Sequence, residues 1–137
     1  MSIKGGLAAL TWLYVGLAGV LGSLARFGLS AAFIKFPVHF LPWGTLLCNW
    51  VGCFLLGGLA YSSRLSRRPR LRTAITTGMI GAFTTFSTLS WELFALLRDG
   101  LWAAAILYAL ASLWGGLWLV RLGRNLEFGR AKRGSAE

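Results

Sequence analysis

The sequence predicts an all-α membrane protein of four transmembrane helices, the third broken near the bilayer midplane. Three observations predict this. The 137-residue chain is 56% hydrophobic and 13% charged, with a mean hydropathy of +0.65, whereas soluble domains are about half apolar at most. Apolar stretches recur over 7–32, 43–63, 71–97 and 101–121, each about the ~20 residues that carry a helix across a ~30 Å hydrocarbon layer. Within the third stretch, "GAFTTFSTLSWE" (81–92) puts four hydroxyls into five residues, Thr84, Thr85, Ser87 and Thr88, and follows them with Glu92. So small a chain cannot enclose a large water-excluded core, and lipid must serve as its apolar solvent.

The first span follows Lys4 as a secretory leader would. It is too long for one, however, and it runs through Gly19, Gly22 and Arg26 without a small-residue cleavage site. "KFPVHFLP" (35–42) is read as a turn with Pro37 and Pro42 as breakers. Its His39 has no Cys, Asp or second His nearby and is assigned no role. In the second span Thr45 and Asn49 are four apart and share a face. Cys48 and Cys53 are five apart and point to different faces, so neither a disulfide framework nor a metal site is indicated. "SRLSRRPR" (63–70) turns into the third span and "RDG" (98–100) into the fourth, where Tyr108 and Ser112 again share a face. Residues 1–6 are left as a short N-terminus, 7–121 as one membrane domain, and 122–137 as a basic tail.

Net charge is +10, which could suggest nucleic acid, but its placement argues for membrane topology instead. With four spans, the N-terminus, the second connection and the C-terminus share one side. That side carries 11 of the 14 Lys and Arg residues; only Arg26, Lys35 and Arg98 fall on or near the other. Positive residues in short loops stay in the cytoplasm, so both termini are expected there.

Most glycines in the spans are read as packing positions that let helices approach closely in lipid. The third span is different. Gly78 and Gly81 precede the hydroxyl-rich run, and glycine with consecutive β-branched and hydroxyl residues makes a poor helix. An interruption frees backbone N–H and C=O groups, tolerable at membrane depth only where protein, water or an ion satisfies them. The ends of half-helices at the midplane hold ions in this way. The Asn49 amide, the hydroxyls of Ser87, Thr88, Tyr108 and Ser112, and the ring edges of Phe83 and Phe86 are all able to face an anion. Arg26 would concentrate anions at a vestibule. Glu92 is the single acid inside a span, too little for a cation relay. Residue chemistry alone leaves the ion unnamed.

"GSLARF" (22–27), "PWGTLLCNWVGCFLLG" (42–57), "GAFTTFSTLSWE" (81–92) and "YALAS" (108–112) together resemble the Fluc/CrcB fluoride channels. The resemblance covers about 7–121, essentially the whole membrane part. It implies an antiparallel dimer in a bacterial inner membrane, with two fluoride pores along the subunit interface. It also implies a structural sodium ion at the dimer centre, held by the carbonyls of Gly81 and Thr84 and not transported. The pore residues it implies are Asn49, Phe86, Tyr108 and Ser112, with Arg26 at the vestibule. Fluoride would enter the cell as its weak acid, dissociate, and leave passively through the channel, which lowers its toxicity.

Two residues depart from the family pattern. Leu89 stands where a second phenylalanine is common, and Ala82 where a glycine often is. An aliphatic side chain offers an anion no ring edge, so one face of a pore would be altered. The charge bias also fits one fixed orientation, and hence one half of a heterodimer with a paired homologous subunit; a homodimer is the other reading.

A small multidrug exporter would need an acid in the first span, which has none. A non-transporting anchor would use its hydroxyls only to join helices. Enzyme chemistry finds no support, because paired carboxylates, Cys/His ligand spacing and phosphate-cradling loops are all missing from the sequence.

Overall fold

The structure is a computed structural model that describes residues 3–33 and 41–133, with side chains described for 8–33, 41–62 and 65–127. Among these residues every regular element is helical. Helix α1 spans Ile3–Phe33 and α2 spans Trp43–Ala60, followed by the short α3 (Ser63–Ser66) and α4 (Pro69–Thr73). A π-helical segment, Ala74–Ile80, leads into α5 (Gly81–Phe83), and α6 (Phe86–Arg98) and α7 (Trp102–Arg133) complete the chain. Among the described residues, four stretches are long and apolar enough to cross a membrane: Ala8–Phe33, Trp43–Ala60, Pro69–Arg98 and Trp102–Glu127. Most of the turn expected at 35–42, with His39, lies outside the described residues.

Local chemistry sets several boundaries. Pro69 occupies the first turn of α4, where its missing N–H costs nothing. Gly100 makes the turn between α6 and α7 with φ of 76°, a left-handed conformation that glycine adopts freely. Beyond 121 the backbone stays helical, so the tail continues α7 as far as Arg133.

Two parallel helix pairs make the bundle. Along α1, Val15 and then Gly22 meet Gly78 and Met79 of the third stretch. Along α2, Trp50 and then Gly57 meet Gly115 and Val120 of α7. A Cβ on Gly22 would overlap the Met79 carbonyl, and one on Gly57 would overlap the Val120 carbonyl. Such backbone-to-backbone contact is how helices associate where lipid removes any hydrophobic drive between them. The Trp50 indole N–H also donates to the Ala111 carbonyl at 3.1 Å, tying α2 to α7.

The buried core is small: Leu46, Leu96, Ala104, Ala105 and Tyr108, bordered by Trp50, Leu89 and Leu93. Trp12, Leu21 and Phe27 on α1, and Trp114 and Trp118 on α7, stay exposed. A large apolar exterior around a small core is what a lipid-solvated bundle requires.

The pairings also assemble the two ends. Tyr14 of α1 shares a groove with Arg68–Leu71, and Gly58 of α2 lies beside Gly123 of α7. Thus the first half of α1, the elbow between α2 and α4, and α7 near 123 gather at one end. At the other end, Gly44 packs on Ser30 and Phe33.

Candidate functional site

Helical geometry lapses between α5 and α6. Thr84 (φ −83°, ψ 155°) and Thr85 (φ −145°, ψ 122°) are extended, and α6 starts afresh at Phe86. Thr85 caps that new helix: its Oγ1 accepts the Thr88 N–H at 3.2 Å, the ordinary way a threonine satisfies a free donor at a helix start. The Thr85 hydroxyl also lies 2.9 Å from that of Thr88 and 3.3 Å from that of Ser87. Three of the four clustered hydroxyls therefore form one network around the restart.

Asn49 closes the gap from α2. Its Nδ2 donates to the Thr85 carbonyl at 3.0 Å, and its Oδ1 accepts the Thr85 N–H at 2.8 Å. One amide N–H of Asn49 is left over. The fourth hydroxyl turns inward on its own helix, with Thr84 Oγ1 donating to the Ile80 carbonyl at 3.1 Å. Gly52 gives Thr84 room, since a Cβ there would collide with the Thr84 methyl.

This arrangement strips two carbonyls of their helical donors. In an unbroken helix Gly81 would accept from the Thr85 N–H, and Thr84 from the Thr88 N–H. Here the first donates to Asn49 and the second to the Thr85 hydroxyl. The Gly81 and Thr84 carbonyls are thus available to something else, and both residues line a groove of about 330 Å³ between α2 and the third stretch. Among the described residues no three His, Cys, Asp or Glu side chains converge. A cation at this place would be held by carbonyl oxygens, a donor set that suits a hard ion.

A second polar cluster lies nearby. Glu92 accepts from Thr45 Oγ1 at 2.8 Å on one carboxyl oxygen and from the Tyr108 hydroxyl at 2.6 Å on the other. One face of α2 therefore serves the third stretch twice, Asn49 at Thr85 and Thr45 at Glu92. Tyr108, at 0% exposure, is the link to α7.

The remaining candidates are placed as follows. Phe86 is 80% exposed and projects beside the groove, while Leu89 lines the same groove and packs on the core. Phe83 is half-buried, with its ring edge near Gly52. Ser112 buries an Oγ with no hydrogen-bond partner among the described residues, one turn beyond Tyr108. Arg26 is half-buried on α1 and makes no ion pair among the described residues. Tyr108 and Ser112 share a face, yet only Tyr108 joins a hydrogen bond. Sequence reasoning counted Thr85 among the clustered hydroxyls but gave it no role of its own, although it is the hub of the first network. Its signal was a threonine three residues ahead of another hydroxyl at a helix start.

Fold and site together define a small multi-pass membrane protein whose polar side chains gather at the extended pair Thr84–Thr85. Residues 13–124 match the family described as CrcB-like protein, Camphor Resistance (CrcB). The chain is 44% identical over 110 residues to Fluoride-specific ion channel FluC 2 of Geobacillus kaustophilus, covering 79% of this chain and 85% of that one. It is 44% identical over 119 residues to FluC 1 of Bacillus anthracis (85% and 87%), and 45% identical over 118 residues to FluC of Thermus thermophilus (84% and 93%). The chain belongs to the CrcB-like family of fluoride-specific ion channels.

Proposed function

We propose that this chain is a subunit of a channel that lets fluoride leave the cytoplasm passively, lowering its toxicity. One observation carries the reading: the region that matches the family, 13–124, contains the whole polar seam from Asn49 to Ser112. The relatives' name supplies the ion, and the groove supplies a path with donors along it. Of the named donors, Asn49 with its spare N–H and Phe86 with its electropositive ring edge line the groove; the Ser87 and Thr88 hydroxyls, bonded to Thr85, and the Phe83 edge flank it. Tyr108 joins the seam from α7 through Glu92, Ser112 lies one turn beyond it, and Arg26 would draw anions toward the seam's mouth.

In this reading the extended pair Thr84–Thr85 interrupts the third span near mid-bilayer. The Gly81 and Thr84 carbonyls would hold sodium, and they fit that task because their helical donors are engaged elsewhere. When bound, sodium would supply a fixed charge at which two interrupted spans meet. A second copy in antiparallel orientation, laid on the groove and on exposed Phe86, would double the carbonyl set and wall two paths. The protein then resides in the bacterial inner membrane, with both termini cytoplasmic where orientation is fixed.

A second reading rests on Leu89 and on the bias of 11 basic residues against three. It makes this chain one half of a heterodimer with a paired homologue. Purified protein in liposomes tests both. Fluoride efflux followed with an electrode, absent for chloride, supports the channel. No efflux from the chain alone, with efflux restored by a paired homologue, selects the heterodimer. No efflux under either condition rejects the channel.

A further inference from the structure

The basic end of the bundle carries a cavity that the fluoride path does not use. It has a volume of about 520 Å³ and is lined by Tyr14 of α1 and by Arg68, Pro69, Arg70 and Leu71 at the elbow between α3 and α4. Neither guanidinium has a hydrogen-bond or ion-pair partner among the described residues; the single ion pair there joins Arg98 to Asp99. The Tyr14 hydroxyl likewise has no protein partner among them. Two unpaired guanidinium forks beside a phenol make a donor set matched to a phosphate.

The surroundings decide which phosphate. Leu10 and Leu17 lie one turn on either side of Tyr14 on the same face of α1 and are exposed, as is Leu71. A free anion gains nothing from such a wall, whereas acyl chains lie along it. The groove also sits at the end that gathers most of the chain's positive charge, where basic pockets between membrane helices take anionic headgroups.

We propose that this groove binds the phosphodiester of an anionic phospholipid, Arg68 and Arg70 holding the phosphate and Tyr14 the headgroup edge, with acyl chains against Leu10 and Leu17. The site depends on the chain spanning a bilayer and not on the ion it conducts.

Spin-labelled phosphatidylglycerol and phosphatidylcholine, compared in proteoliposomes of the full chain, test it. The protein should restrict the anionic lipid with about a five- to tenfold preference. In R68Q/R70Q the preference should fall to near parity. R121Q/R124Q removes the same charge from α7 and should retain most of it. Equal losses in the two double variants would mean a diffuse basic surface and overturn the site. Displacement of the lipid by inorganic phosphate at matched ionic strength would assign a free-anion site and overturn it too. Should R68Q/R70Q fail to reconstitute, the single variants R68Q and R70Q carry the same comparison, each losing part of the preference. Fluoride efflux from the same vesicles reports separately on the channel reading: efflux can fail while the lipid preference stands, and the reverse.

Discussion

Asn49 and Thr85 grip each other at two points, side-chain amide against peptide group, at 3.0 and 2.8 Å. A side chain of α2 thereby does for one extended residue what a neighbouring strand does in a sheet. Asn49→Leu should strand both the N–H and the carbonyl of Thr85, at about 1–3 kcal/mol for each group left unpaired. Asn49→Asp keeps the acceptor, loses the donor, and should fall between Leu and wild type. Thermal unfolding in detergent orders the three proteins, and fluoride efflux should follow the same order.

Thr85→Ala should remove the acceptor of the Thr88 N–H and cost about 1 kcal/mol, the usual worth of a threonine cap. Thr85→Ser, which keeps the oxygen, should recover most of that. Equal melting temperatures for the two variants would deny the cap its role.

Glu92 receives two hydroxyls at once, so Thr45 and Tyr108 should not act independently. Thr45→Val and Tyr108→Phe should each cost about 0.5–1.7 kcal/mol, the range for interhelical hydrogen bonds in membranes. Removing both should depart from the sum by ~0.5 kcal/mol or more, because they share one acceptor. A double-mutant cycle on unfolding free energies checks this, and strict additivity would separate the two bonds.

Close helix approach makes a contrast among glycines. Gly22→Ala must displace the Met79 carbonyl and Gly57→Ala the Val120 carbonyl, so each should destabilise by about 1–3 kcal/mol. A Cβ on Gly16 would meet no other element within 4 Å among the described residues, and Gly16→Ala should be neutral or stabilise by up to ~1 kcal/mol through helix propensity. Detergent melts of the three variants give the comparison.

Leu89 lines the groove and packs on the core at the same time. If an aromatic edge is what a path lacks there, Leu89→Phe should raise fluoride efflux, at a packing cost of about 1–3 kcal/mol. A stability loss with efflux unchanged would assign Leu89 to packing alone.

Span number and helical class were legible because membrane thickness writes itself into runs of apolar residues, and four such runs stand out in 137 residues. The face shared by Thr45 and Asn49 was legible from spacing. What each one touches was not, since Glu92 and Thr85 lie 47 and 36 positions away. Tyr108 shows the limit most clearly. Its four-residue interval from Ser112 puts both on one face, but only the tertiary packing shows that Tyr108 is fully buried against Glu92 while Ser112 keeps an unpartnered hydroxyl. The continuation of α7 beyond 121 was hidden by its basic composition, which reads as a solvated tail.

Within the chain, the extended pair Thr84 and Thr85 is held by an amide, a cap and a glycine-made gap. Whatever meets that surface therefore encounters a finished socket and need not mould it. Were two copies to join there, as proposed above, each would bring this shape ready-made, and a mutation that spoils the socket would do so already in the solitary chain.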